Sequence, residues 1–167
     1  MTDPVEDDAH LCAARAAAAL AVASVARGDA QGAFNALMDF LGRAEHGSGS
    51  GELLLTVLFE ASATMACTMG VFLGSTEPVR IGALDDDCHP VEIDEAAPVE
   101  RSFVRALLAE IHGDRQATLN QIQMVFETSD PTWISSLVMR TLAGTAALLD
   151  ACAQLELPVP DWLVVQR

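Results

Sequence analysis

Residues 28–35 read GDAQGAFN, and residues 113–120 read GDRQATLN. Both stretches follow the frame Gly-Asp-x-Gln-x-x-x-Asn, and the second begins 85 positions after the first (113 minus 28). Continued without gaps, the same offset also pairs Cys67 with Cys152. A fixed internal offset is typical of a repeated structural unit. We therefore predict a duplicated helical unit in which residues 85 apart occupy equivalent places.

Each copy of the frame predicts a corner between two helices. Gly28 and Gly113 supply a backbone conformation that other residues resist, and a glycine in this place commonly ends a helix. Asp29 and Asp114 follow directly, where a carboxylate can cap the next helix by accepting a hydrogen bond from its first free amides. The Gln and Asn of each frame lie four residues apart and can bond along a helix surface. We interpret the frame as a structural corner, with a paired polar groove as the functional alternative.

The positions of glycine, proline and capping residues predict an all-α helical bundle of about six helices. The predicted helices cover about 6–27, 30–43, 51–73, 98–112, 115–127 and 131–154. They form two pseudo-repeated three-helix units at an offset of 85, and a short extended or β-hairpin crossover at about 78–95 joins the units.

The chain is expected to form one compact domain with three parts. These are a first three-helix unit at 1–77, an extended and acidic crossover at 78–97, and a second unit with an extended C-terminal tail at 98–167. A length of 167 residues with 51% hydrophobic composition suits one shared core.

Two helices of the first unit have informative apolar patterns. Phe34, Leu37, Met38 and Leu41 form an i, i+3, i+4, i+7 stripe, which we expect to face the core. The helix at 51–73 is apolar nearly all round and is therefore expected to be central.

The charge of the chain limits the kinds of partner it can bind. Nine Lys and Arg residues oppose 24 Asp and Glu residues, giving a net charge of −15, and all nine basic residues are Arg. Such a surface repels phosphate backbones and anionic lipid, so we expect neither nucleic-acid nor membrane binding. The acidic surface is interpreted as solvated; a docking face for a basic partner and a mimic of nucleic-acid charge are the alternatives.

One segment is long enough to cross a bilayer. Residues 53–73 contain a single charged residue, Glu60. A carboxylate near the middle of a span is costly, and no basic cluster flanks the segment. A buried helix of a bundle is the favoured interpretation.

The four cysteines indicate a reducing compartment. They form no CxxC pair, and the N-terminus MTDPVEDD is acidic where a secretory signal is basic. A cytoplasmic location is expected, with Cys67 and Cys152 as small buried residues and a disulfide between them as the alternative.

The most ligand-like stretch is DDDCHPVE at 85–92. Asp85, Cys88 and His89 would be the first metal ligands to test, since carboxylates suit hard cations and Cys with His suits zinc. However, contiguous residues cannot all point at one ion, and no second Cys/His pair completes a set. A solvated acidic turn is favoured, and we expect no cofactor.

Three charged residues lie inside apolar helices and form the candidate ligand-binding site. They are Glu60 in the third helix and Arg140 and Asp150 in the sixth. Because buried charges are tolerated mainly in pairs, Glu60 with Arg140 is a predicted partnership that could line a small-molecule pocket. The alternative is that Arg140 and Asp150 face solvent.

No catalytic set remains once the helices are explained by packing. We therefore expect a non-enzymatic interaction or regulatory protein, which holds a protein partner through its acidic surface or a groove between the units. The alternative is a small-molecule-binding or enzymatic bundle with a polar site around Glu60 and Arg140. Self-association as a homodimer is a further expectation.

Overall fold

The computed structural model describes residues 4–43, 49–74, 81–84, 89–128 and 130–164, and these residues form an all-α bundle. The prediction of the fold class is confirmed. The helices are α1 Pro4–Ala26, α2 Ala30–Arg43, α3 Ser50–Phe72, α4 Pro98–Ile111, α5 Arg115–Glu127 and α6 Pro131–Gln154.

The two Gly-Asp corners have the same backbone geometry. Gly28 has φ 74° and Gly113 has φ 76°, both in the left-handed region that favours glycine. The Asp29 amide donates to the Ser24 carbonyl at 2.9 Å, and the Asp114 amide donates to the Ala109 carbonyl at 2.9 Å. The Gly-Asp frame therefore builds the same helix-turn-helix corner twice.

Side chains close the two corners in the same way. Asp29 Oδ1 accepts from the Gly32 amide at 2.8 Å, and Asp114 Oδ1 accepts from the Ala117 amide at 3.0 Å. Both aspartates are therefore N-caps, as the sequence predicted. The Gln and Asn side chains of each frame are also hydrogen-bonded, at 2.9 Å in the first copy and 3.0 Å in the second.

The packing contacts of α1, α2 and α3 resemble those of α4, α5 and α6 only in part. Helix α1 packs on α2, α3 and α6, and α4 packs on α5, α6 and α3, while α3 and α6 contact each other in the centre. Helix α5 additionally contacts α3 and α6, whereas α2, within the described residues, makes no comparable contact beyond α1. The duplication of the whole unit therefore stays a prediction.

Helix α3 lies between two hydrophobic clusters. Leu54, Leu58 and Met65 belong to a cluster with α1, α2 and α6. Leu55 and Phe59 belong to a second cluster with α4 and α5. Because apolar residues cover most of its circumference, α3 can serve both clusters, and the predicted central position is confirmed.

The predicted core stripe of α2 is wrong for three of its four residues. Leu37 is buried, but Phe34 is 55% exposed, Met38 49% and Leu41 38%. The arc that meets α1 instead contains Ala33, Leu37 and Phe40. Helix α2 has two neighbouring apolar arcs, and its packing on α1 buries only one of them.

The crossover contains the predicted hairpin in a short form. Strand β1 Ala83–Leu84 pairs antiparallel with β2 Pro90–Val91, with Ala83 opposite Val91. Residues 75–80 and 85–88 lie outside the described residues. The described part of the C-terminal tail contains a 3-10 turn, Asp161–Leu163, where buried Leu163 joins the first hydrophobic cluster.

In the described part of the chain, three helices are long and apolar enough to cross a membrane: the segments Asp8–Ala26, Ser50–Phe72 and Pro131–Gln154. In the bundle, 61% of the most apolar window of α3 is buried, against 39% and 33% in α1 and α6. The apolar character of α3 is thus largely used by the core. Length and composition alone qualify all three helices for a bilayer as well as for a bundle.

Candidate functional site

Glu60 lies on α3 and bonds to the first residue of α5. Its carboxylate is 2.6 Å from the guanidinium of Arg115, and the two side chains are 28% and 62% exposed. Arg115 begins α5 directly after the Asp114 cap. The ion pair therefore ties the N-terminal end of α5 to the middle of α3.

Arg140 lies on α6 and bonds to α4. Its Nε donates to Glu100 at 2.7 Å and a terminal nitrogen donates to the other oxygen at 2.9 Å, so the carboxylate is held by two parallel bonds. The guanidinium carbon also lies 4.6 Å from the centre of the Phe103 ring. The hydrogen bonds to Glu100 raise the pKa of Arg140, and burial partly opposes this.

The predicted partnership of Glu60 and Arg140 is wrong, because each side chain bonds to another residue. Although α3 and α6 are in contact, Glu60 reaches toward α5 and Arg140 toward α4. Asp150 is exposed and accepts from Gln154 at 2.7 Å, one turn along α6. The three candidate ligand-binding residues therefore take part in three separate contacts. Glu60 bonds to Arg115 and Arg140 bonds to Glu100. Both partners were recognisable as candidates in the sequence, since Glu100 and Arg115 are also charged residues beside apolar helix faces.

The metal prediction at the crossover rests mostly on residues outside the described part of the chain, since Asp85 and Cys88 both lie there. His89 is described and is exposed. Among the described residues, no three His, Cys, Asp or Glu side chains are grouped so as to hold a metal ion.

The described cysteines are unpaired. Cys67 is half-buried and Cys152 is buried, and neither forms a disulfide, so the alternative of a bridge between them is wrong. Burial raises the pKa of the Cys152 thiol from its ordinary value of 9.0, because the apolar surroundings disfavour the thiolate. Cys152 therefore acts as a small core residue.

A buried polar contact that was not predicted from the sequence joins α3 to α6. Ser62 and Thr145 are 1% and 0% exposed, and their hydroxyl oxygens are 2.8 Å apart. Thr145 also donates to the Thr141 carbonyl at 2.8 Å. Because the Thr145 hydroxyl has a single proton and donates it to Thr141, the Ser62 hydroxyl is the donor in its bond to Thr145. Hydroxyl residues inside two long apolar helices were the available signal.

A second missed contact lies at the N-terminal ends of α1 and α3. His10 Nε2 is 3.4 Å from the hydroxyl of buried Ser50, and its ring lies 5.6 Å from the ring of Phe40. A carboxylate that would complete a catalytic triad is not seen bonded to His10 within the described residues. The geometry instead fastens α1 to α2 and α3.

An exposed apolar surface runs along α2. Phe34, Met38 and Leu41 lie four and three residues apart and therefore share one helix face; we call these three residues the α2 apolar row. Asn35 and Asp39 follow Phe34 and Met38 directly, about 100° further round the helix, and both are exposed. The face thus carries an apolar row beside a polar row.

The corresponding positions of α5 are covered to a greater extent. Counted 85 residues on, they are Leu119, Gln123 and Phe126, and both apolar members are half-buried. The Phe126 ring packs over α3, where a Cβ placed on Gly51 would meet it at 2.9 Å. The α2 apolar row is therefore more exposed than the residues of α5 that lie 85 positions later.

Several arginines of the described residues already bond to other groups, among them Arg27 to the Ser24 hydroxyl and Arg101 to the Asp94 carbonyl. Arg105, Arg115 and Arg140 form ion pairs. The Nε atom of Arg15 is buried in the bundle without a hydrogen-bond partner. Because the net charge of the chain is −15, the charge left for a partner is predominantly negative.

Comparison of the chain with protein-family models, curated proteins and solved structures gave no match in any of the three.

Proposed function

We propose that this protein is a non-enzymatic helical interaction protein that binds a protein partner through the α2 apolar row. The observation that carries the proposal is the exposure of Phe34, Met38 and Leu41, at 55%, 49% and 38%, on one face of a helix whose other apolar arc already packs in the core. Single exposed apolar residues are ordinary, but an aligned row of three large ones is typical of an interaction surface.

The ion pairs of Glu60 and Arg140 give the alternative function less support than the interaction proposal. A small-molecule-binding or enzymatic bundle was expected to use Glu60 and Arg140 together, and their ion pairs lead to different helices. Both pairs join helices of the bundle, so a structural role accounts for both charges. The interaction proposal needs neither residue.

The cytoplasmic location remains part of the proposal. Three described cysteines are free thiols, including exposed Cys12, which suits a reducing compartment. A membrane-associated protein is the competing proposal, supported by the three helices that are long and apolar enough to span a bilayer.

The test compares the proteins that co-purify with the full chain and with two variants. In the first variant, Phe34→Gln and Met38→Gln replace exposed apolar residues of α2. In the matched control, Met124→Gln replaces a residue of α5 that is 54% exposed. We expect quantitative mass spectrometry to show specific proteins lost from the first variant and retained by the control. An identical set of proteins with all three forms would contradict the proposal.

A further inference from the structure

We infer that α2 opens away from the bundle as a separate unit while the other described helices remain folded. This opening is a conformational device of the free protein, and it goes beyond the proposed function without depending on it. Three observations carry the inference: the single packing partner of α2, the small number of its buried side chains, and a comparison with α5, which follows the second Gly-Asp corner.

Helix α2 is held in place by one neighbour. In the described part of the chain it packs closely only on α1, whereas α5 packs on α4, α3 and α6. The buried side chains of α2 are those of Ala33, Leu37 and Phe40. An element with few buried apolar contacts opens at a lower free energy than the core of the same protein. The loss of one interface therefore frees α2.

Helix α5 is the internal comparison, because it has almost the same length and begins at the same kind of corner. It has 13 residues, against 14 in α2. The hydroxyl of buried Thr118 lies 3.3 Å from the Ala106 carbonyl of α4. Arg115 lies 2.6 Å from Glu60 of α3. Opening of α5 must therefore break polar links to two helices as well as its apolar contacts.

The composition of α2 also favours opening. Helix α2 contains Gly32 and Gly42, whereas α5 contains neither glycine nor proline. Glycine is the least favourable residue in a helix after proline. A helix of this length is marginal in water without tertiary contacts. The interface with α1 therefore supplies most of the free energy that keeps α2 folded.

The end of α2 that is farther from the Gly-Asp corner is fastened at Phe40. This ring is 8% exposed and lies 5.6 Å from the ring of His10 on α1. His10 Nε2 is in turn 3.4 Å from the hydroxyl of Ser50 on α3. Opening separates Phe40 from His10 and exposes Leu37 and Phe40 together with the α2 apolar row. In the open form, α2 presents both of its apolar arcs.

The experiment is native-state amide hydrogen exchange of the full chain, at urea concentrations below the unfolding transition and under conditions in which closing is faster than exchange. We expect protection factors in the middle of α2 to be at least about a hundredfold lower than those in α3 and α5. The α2 values should depend only weakly on urea, because opening of one helix exposes less surface than global unfolding does.

Two conservative variants separate local opening from global unfolding. Ile122 is fully buried on α5 and remains packed when α2 alone opens. Ile122→Val should therefore accelerate exchange in α3 and α5 about two- to tenfold and leave exchange in α2 unchanged. Phe40→Leu weakens a contact that both events break, so it should accelerate exchange in α2 as well as in α3 and α5.

Three results would overturn the inference. If α2 amides exchange as slowly as those of α5, or if Ile122→Val accelerates them to the same extent, α2 opens only with the whole bundle. If the amides of α1 are as weakly protected as those of α2, the two helices open together and α2 is not a separate unit. The comparison of α2 with α5 in the unaltered chain needs no substitution, so it decides the question even where a variant does not fold.

Discussion

Gly28 and Gly113 both have a positive φ. A side chain introduced at either position therefore has a measurable cost in stability. At 74° and 76°, both lie where an L side chain is strained, and an added Cβ would meet no atom within 4 Å at either position. A substitution there is therefore opposed by the backbone alone. Gly42 offers a contrast, because it lies within α2 and its added Cβ would also meet nothing within 4 Å.

We predict that Gly28→Ala and Gly113→Ala each lower the free energy of unfolding by about 1–2 kcal/mol. Gly42→Ala should raise it, by up to about 1 kcal/mol, because alanine is the better helix former. Urea denaturation monitored by circular dichroism measures all three. Destabilisation by Gly42→Ala as large as that by the corner variants would show that the left-handed backbone is not the cause.

Arg140 is predicted to stabilise the fold more than Arg105 does. The Arg140 bonds hold Glu100, whose side chain is 14% exposed, whereas Arg105 bonds to Asp94, which is 81% exposed. Arg140→Ala strands a poorly solvated carboxylate and should cost about 1–3 kcal/mol, between the values for exposed and fully buried pairs. Arg105→Ala should change stability by less than about 0.5 kcal/mol.

Thermal and urea denaturation of both variants test this ranking. Arg140→Lys is informative as well, since lysine retains the charge but cannot make two parallel bonds to one carboxylate. Equal stability of the Arg140→Ala and Arg105→Ala variants would refute the prediction.

At the scale of the helices, the contact between Ser62 and Thr145 fixes how α3 meets α6. The Thr145 hydroxyl donates to the Thr141 carbonyl and accepts from Ser62. Thr145→Val therefore leaves the buried Ser62 hydroxyl without its acceptor, whereas Ser62→Ala leaves Thr145 with the bond to Thr141. The two single changes are expected to differ in cost.

We predict that Thr145→Val lowers stability by about 1–3 kcal/mol and that Ser62→Ala lowers it less. Adding Ser62→Ala to Thr145→Val should recover part of the loss, because the double variant leaves no buried hydroxyl unpaired. A double-mutant cycle of unfolding free energies measures this coupling. Strictly additive losses would count against the bond.

The limits of the helices were predictable from the sequence, whereas the side that each helix turns to the core was not. Asp114, Asp130 and the corner glycines mark helix ends by local chemistry, so the predicted helix limits lie within two residues of the observed ones. In α2, however, Ala33, Leu37 and Phe40 fit a helical apolar spacing as well as Phe34, Met38 and Leu41 do. Only the tertiary contact with α1 selects the arc that is buried.

The residues of the candidate site were predictable from the sequence, but the partner to which each of them bonds was not. Glu60 and Arg140 were recognisable as charges in apolar helices, and both form ion pairs. Their partners depend on how α3 and α6 are rotated relative to α5 and α4. That rotation is set by packing across the bundle, which the spacing of residues along one helix does not encode.

For the whole molecule, the net charge of −15 makes ionic strength a determinant of stability. Compaction brings like charges together, and salt screens their repulsion. We predict that Tm rises by a few degrees as NaCl increases from about 20 mM to about 500 mM. Glu127→Gln, at the exposed C-terminal end of α5, should raise Tm at low salt and have a smaller effect at high salt.

Differential scanning calorimetry measures both effects. Sucrose of equal osmolality serves as the control, because it changes solvent exclusion without screening charge. An equal rise of Tm in sucrose and in NaCl would contradict an electrostatic origin.

The position of α3 between the two hydrophobic clusters governs the cooperativity of folding. Helix α3 precedes the crossover in sequence, yet its residues Leu55 and Phe59 pack with α4 and α5, which follow it. Helix α6, from the other end of the chain, packs on α1 in the same interlocked manner. If the polypeptide were cut at the crossover, each fragment would expose the apolar residues that the other fragment covers in the intact chain. We therefore expect the parts of the chain on either side of the crossover to unfold as a single thermodynamic unit, because each completes the core of the other.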